Sequence, residues 1–330
     1  MQNESVTKGR SAAFRASTGS MSNLISSSAT WRWRARWGPR WPSTETRYEL
    51  AGLLVAVVAL AAITALAEPF GRQWGTGQDA YCYYQATLAD PYARSDWTSP
   101  IAYVYSPAFI QLVAPLTRLP WQAFMAAWTL ILLAGVRFLT GPRLFALGVV
   151  FALMELAGGN IEILIAVAVV VGFRWPAAWS FVLLTKVTPG VGLLWFAVRR
   201  EWNQLATALV ATGMIMVASA VFMPNAWSDW LTVLSTVSGR DGTWAAVPIP
   251  LLARLPVAVV VVVWGATTDR RWTVPVAAMI ALPALWYGAF SMLLATIALQ
   301  RPEWRDTGGS GTSTSREPYR ARTLGSAAPA

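Results

Sequence analysis

The sequence predicts an all-α fold, a polytopic bundle of about eight to ten transmembrane helices. Of its 330 residues, 55% are hydrophobic and 13% are charged, which is too apolar for an ordinary soluble domain. Long apolar runs also recur along the chain, and a helix of about 20 such residues crosses the hydrocarbon core of a bilayer. We therefore expect an integral membrane protein.

This prediction rests on the apolar runs of the sequence, and at two places the runs are compatible with more than one structure. The runs lie near 50–66, 102–118, 121–139, 143–157, 160–173, 176–198, 203–222, 251–267 and 273–298. The Gly158-Gly159-Asn160 junction is either a tight turn, which we favour, or a break in a membrane helix. Pro275 and Pro283 make the last run either one tilted helix or a broken, re-entrant pair.

The distribution of polar residues divides the chain into three parts. Residues 1–47 and 301–330 are expected to be disordered tails, and 48–300 form the transmembrane domain. Basic residues before the first helix place the N-terminus in the cytoplasm, by the positive-inside rule. If the apolar runs cross the membrane in turn, successive connections alternate between its two sides. This count places the loops of about 67–101 and 223–250 on the outer face of a plasma (inner) membrane, and the side of the C-terminal tail stays open.

The formal charge of +10 does not indicate a nucleic-acid partner, because the basic residues lie mainly in the tails and short loops. Membrane lipids are the expected surroundings. The chain has one cysteine and no histidine, which excludes an internal disulfide, a histidine general base and zinc, haem or iron-sulfur sites. We expect no metal and no cofactor, so acid-base chemistry must fall to a carboxylate, lysine or tyrosine.

The first outer loop combines acidic and aromatic residues. Carboxylates accept hydroxyl protons and aromatic rings cover sugar faces, so the loop suits a polar ligand at the membrane surface. The alternative is an interfacial aromatic belt with ordinary solvated acids. Asp79 follows the first helix closely and could meet a substrate held by a lipid. The residues are Asp79, Asp90, Asp96, Tyr81, Tyr83, Tyr84, Tyr92, Tyr103 and Tyr105.

Three ionisable residues, Glu155, Glu162 and Lys186, lie inside apolar runs. A charge near the bilayer centre costs about 2.5–3.5 kcal/mol on insertion scales, so each should face a partner or a cavity. Glu162 and Lys186 lie at similar distances from Trp175, and we expect them to pair. The pair either fixes helix packing or leaves Lys186 facing an anionic phosphate.

The second outer loop contains another candidate cation and a helical pattern. The segment from Trp227 to Val237 predicts a short amphipathic helix on the membrane surface. Arg240 could contact a phosphate, or it could simply be solvated in its glycine-rich surroundings.

Several motifs in this order resemble a known family. They are Gln78-Asp79-Ala80-Tyr81, Pro91-Tyr92, Tyr103-Val104-Tyr105-Ser106-Pro107, Gly159-Asn160-Ile161-Glu162 and Thr185-Lys186-Val187-Thr188-Pro189-Gly190. Together they resemble the polyprenol-phosphate-mannose-dependent mannosyltransferases of glycosyltransferase family 87, over about residues 48–300. The resemblance implies a C-type membrane glycosyltransferase fold.

The resemblance also implies an activity. A hexose, with mannose as the expected sugar, would pass from a polyprenyl-phosphate donor to a lipid or glycan acceptor on the outer face. Asp79 matches the family's catalytic base in an inverting displacement, and Lys186 and Arg240 are candidates to stabilise the leaving phosphate. Tyr81 and Tyr105 would bind substrate.

Two further residues in the matching motifs, Glu162 and Asn160, would be structural or contact the substrate. The chain departs from the family because many relatives carry a histidine in the segment matching Pro283-Ala284-Leu285-Trp286-Tyr287. It is also shorter than usual, so an inactive relative is one alternative. A transporter or flippase that uses Glu155, Glu162 and Lys186 is another, and a non-catalytic assembly subunit is a third.

Overall fold

A computed structural model describes residues 43–68, 75–93, 102–238 and 246–305. These residues form fourteen helices and no strand, which confirms the all-α prediction. The helices are α1 Thr44–Leu66, α2 Gln78–Gln85, α3 Pro107–Val113, α4 Trp121–Phe151, α5 Leu153–Gly158, α6 Glu162–Gly172, α7 Trp179–Thr185, α8 Leu194–Val198, α9 Trp202–Phe222, α10 Pro224–Ser238, α11 Leu251–Thr267, α12 Thr273–Ile280, α13 Leu294–Gln300 and α14 Pro302–Arg305.

Three helices in the described ranges, α1, α4 and α9, are long and apolar enough to cross a membrane. Helix α4 is kinked at Gly141, which has φ 71° and ψ 177° and precedes Pro142. The kink interrupts the helical hydrogen bonds, and carbonyl groups before it need other donors. Arg301 Nη2 supplies them, at 2.5 Å from the oxygen of Phe138 and 2.6 Å from that of Leu139.

The run 176–198 is a hairpin. Helix α7 ends at Thr185, Lys186 has an extended backbone, and a 3-10 helix from Thr188 to Leu193 leads into α8. The ring of Trp195 on α8 packs 5.5 Å from that of Phe173, next to the start of the run. The run therefore returns to the end of the molecule where it began, and Lys186 lies at its tip.

The run 273–298 is broken in the same way. Helix α12 ends at Ile280, and helical structure resumes only with a 3-10 helix at Tyr287. Buried Arg254 holds the break, because its guanidinium donates to the carbonyl oxygens of Ile280 at 2.6 Å and Pro283 at 3.1 Å. Of the two alternatives for this run, the structure has the broken pair, and the hydrogen bond from Arg271 to the carbonyl of Trp304 brings its two ends together.

Most arginines among the described residues lie at one end of the bundle, which we name the arginine end. Glu45 at the start of α1 pairs with Arg143 at 2.5 Å, and Arg199 pairs with Asp269 at 2.9 Å. Arg271 donates to the carbonyl of Trp304, so the C-terminal α14 lies at this end too.

The described residues of both predicted outer loops lie at the opposite end. Trp230 on α10 donates through Nε1 to the carbonyl of Val104, at 3.1 Å, which joins the second loop to the first. Helix α10 confirms that the segment predicted from Trp227 to Val237 is helical, and its place on a membrane surface stays a prediction. Which side of a membrane each end faces stays a prediction.

Candidate active site

Helix α2 of the first loop docks onto the turn between α5 and α6. Gly77 has φ 85° and donates its backbone N–H to the carbonyl of Ala157 at 2.7 Å. Gly159 has φ 73°, a left-handed conformation that glycine adopts most easily, and a Cβ there would lie 2.7 Å from Ala80 Cβ. The predicted tight turn is therefore present, and its glycine lets α2 approach closely.

Asp79 is the second residue of α2 and remains partly exposed. A Cβ on Gly158 would lie 2.9 Å from Asp79 Oδ2, so this glycine leaves room for the carboxylate. Burial raises the pKa of Asp79 from 3.8 to about 7, with Glu162 acting in the same direction and Lys186 against it. The side chain can therefore take up or release a proton near neutral pH.

An ion pair lies beside Asp79. Lys186 donates from Nζ to Glu162 Oε1, which confirms the predicted pairing. The Glu162 side chain is 4% exposed and that of Lys186 is 15% exposed, so Lys186 is the partner with access from outside. Glu155 Oε1 accepts the backbone N–H of Glu162 at 2.7 Å and so holds the start of α6.

Two tyrosines and Asn160 form the wall next to the ion pair. The hydroxyls of Tyr83 and Tyr105 both donate to Asn160 Oδ1, at 3.2 and 3.3 Å. Lys186 Nζ lies 5.9 Å from the centroid of the Tyr105 ring, within cation–π range. Asp79, Asn160, Glu162, Lys186 and Tyr105, all candidates from the sequence, thus come together in one cluster.

The site residues of the first loop are only partly those that we predicted. Tyr83 is an addition; it lies four residues after Asp79 and therefore on the same face of α2, a spacing that could have identified it. Tyr81 lies elsewhere, with its ring 5.4 Å from that of Trp121, and its contact with substrate stays a prediction. Arg240 lies outside the described residues.

The model of glycosyltransferase family 87 matches residues 103–303, more than half of the sequence. The chain belongs to glycosyltransferase family 87. Membership in family 87 indicates a membrane glycosyltransferase, with a sugar donor and an acceptor as substrates. No curated protein and no solved structure matches the chain.

The match to family 87 contains most of the cluster but begins after Asp79. Tyr105, Asn160, Glu162 and Lys186 lie within it. Asp79 joins these residues only through the docking of α2 on the α5–α6 turn. In this family 87 protein, a carboxylate that titrates near neutrality and an accessible lysine therefore come from separate parts of the chain.

Proposed function

We propose that this protein transfers a hexose, with mannose as the expected sugar, from a polyprenyl-phosphate donor to a hydroxyl of a lipid or glycan acceptor at the outer face of the plasma membrane. The observation that carries the proposal is the placement of partly exposed Asp79 within electrostatic reach of Lys186. A group that accepts a proton and a cation for a leaving phosphate are the two parts that such a transfer needs.

In the proposed step, Asp79 accepts the proton of the acceptor hydroxyl while its oxygen attacks the anomeric carbon of the sugar. The bond from that carbon to the phosphate oxygen breaks, and its electron pair stays on the polyprenyl phosphate, whose negative charge rises by one. Lys186 stabilises this added charge, and Glu162 holds Lys186 in place. The anomeric configuration inverts, because attack and departure occur on opposite faces.

The test uses membranes that contain the wild-type protein, with membranes lacking it as the control. Radiolabelled mannose is offered either as polyprenyl-phosphate-mannose or as a nucleotide-linked mannose, together with endogenous acceptors. We expect label in lipid or glycan products from the lipid-linked donor alone, with the opposite anomeric configuration. Transfer from neither donor by well-folded protein would favour an inactive relative, and movement of the lipid-linked sugar across vesicles without transfer would favour a flippase.

The pKa of Asp79 predicts how transfer depends on pH. Because the base must be ionised, kcat/KM should rise roughly tenfold per pH unit below the pKa and level off above it. With a pKa of about 7, the rise falls between roughly pH 5.5 and 7.5. Initial rates at low donor concentration measure this profile, and a flat profile over that range would argue against Asp79 as the base.

A side chain added at Gly158 should crowd the carboxylate of Asp79. A Gly158→Ala variant places a methyl group 2.9 Å from Asp79 Oδ2 and should displace the carboxylate. We expect roughly ten- to hundredfold slower transfer, because small misplacements of a reacting group are costly. The matched control is Gly213→Ala on α9, where the Cβ meets nothing within 4 Å. Equal rates in both variants would contradict the proposed position of the base.

A further inference from the structure

The side-chain amide of Asn160 has a defined orientation. The backbone N–H of Ile161 donates to Asn160 Oδ1 at 2.8 Å. A backbone N–H can bond only to the oxygen of an amide, so this contact distinguishes oxygen from nitrogen. The hydroxyls of Tyr83 and Tyr105 donate to the same oxygen. All three contacts lie on the Oδ1 side of the group.

The nitrogen of this amide therefore points the other way. Because Nδ2 is the other arm of the planar group, its two hydrogens are directed away from Oδ1 and its three donors. Among the residues that the structure describes, none accepts a hydrogen bond from Nδ2, and the Asn160 side chain is partly exposed. The two hydrogens of this neutral group are thus without an acceptor among the described residues.

Lys186, in the same cluster, also has donors without a described partner. Its ammonium group has three hydrogens, and among the residues that the structure describes it makes one hydrogen bond, to Glu162. Both Lys186 and Asn160 adjoin Tyr105, the first over the ring and the second at the hydroxyl. A cation over the ring and an amide next to its hydroxyl suit a single anionic group with several acceptor oxygens.

We propose that Asn160 Nδ2 donates a hydrogen bond to the phosphate of the lipid-linked donor, beside Lys186. The inference rests on the proposed function, because it assigns a ligand atom within the same site. Tyr83 and Tyr105 are positioning residues: they hold the oxygen so that the nitrogen faces the ligand. As the phosphate gains negative charge on departure, the bond from Asn160 strengthens, so the residue contributes to the rate as well as to binding.

The test measures binding without requiring transfer. An Asn160→Asp variant keeps an oxygen for Tyr83, Tyr105 and Ile161 but replaces the two donors with a second acceptor. The probes are a radiolabelled polyprenyl monophosphate and the corresponding polyprenol, in detergent micelles that contain the full chain. We expect at least tenfold weaker binding of the phosphate and unchanged binding of the alcohol. Asn203→Asp, on an exposed position of α9, is the matched control and should bind both as wild type does.

A second variant covers the case in which Asn160→Asp fails to fold. Asn160→Ser retains an oxygen that can accept the Ile161 N–H and removes Nδ2 without adding charge. Its phosphate affinity should also fall, with alcohol binding unchanged. Wild-type affinity for the phosphate in either folded variant would overturn the inference while leaving mannose transfer untouched. Lost phosphate binding in a protein whose wild type transfers no sugar would support the inference and count against the proposed function alone.

Discussion

An Asp79→Asn variant is expected to lose sugar transfer by roughly a thousandfold, because a positioned general base contributes about 10²–10⁴ in rate. Asparagine has nearly the same shape as aspartate but cannot take the proton of the acceptor hydroxyl. The measurement is the initial rate of mannose transfer at matched protein levels. Asp229→Asn makes the same chemical change at an exposed position of α10 and should retain wild-type rates.

The same variant is expected to gain stability. The pKa of Asp79 is raised in the folded protein, so ionisation favours the unfolded chain. The contribution of this group to the free energy of unfolding therefore falls as pH rises from about 4 to about 7. The Tm of Asp79→Asn should exceed that of wild type at pH 8, and the difference should shrink toward pH 4. A lower Tm at pH 8 together with lost transfer would indicate a structural role instead.

A Lys186→Met variant should lose both transfer and stability. Removing the lysine leaves the Glu162 carboxylate buried without its partner, which typically destabilises a protein by about 3–5 kcal/mol. It also removes the cation proposed for the leaving phosphate. Thermal unfolding in detergent and the transfer assay measure the two effects separately.

The double variant Glu162→Gln with Lys186→Met separates the two roles of the pair. Replacing both partners of a buried pair by neutral residues is often close to neutral for stability, so its Tm should recover toward wild type. Transfer should not recover, because the cation is still missing. If transfer returned with the Tm, the pair would serve helix packing alone. Arg143→Met is the control, since its pair with Glu45 is exposed and contributes about 1 kcal/mol or less.

The similar depths expected for Glu162 and Lys186 in the membrane were enough to predict their buried ion pair. Charged groups in an apolar run need a partner, and Glu162 and Lys186 were the residues at comparable distances from Trp175. The same reasoning missed Arg254 and Arg301. Their partners are backbone carbonyls at a helix break and at a kink, and such carbonyls become available only after folding.

The paths of the two broken runs also needed the tertiary structure. Hydropathy detects an apolar run such as 176–198 but not whether it crosses the bundle or turns back inside it. Pro189 and the extended Lys186 mark the break, while the contact of Trp195 with Phe173 is what shows that the chain returns. The position of α14 at the arginine end follows from the same folding back of the last run, and the membrane side of the C-terminal tail stays open.

The sequence by itself determined that this protein is an all-α membrane protein, because an apolar composition and long apolar runs act locally and require no partner. Its ordered motifs also predicted membership in family 87. The tertiary structure decided which polar residues share a site. Asp79, Asn160 and Lys186 are far apart in the chain and meet only because Gly158 and Gly159 let α2 approach the turn that carries Asn160.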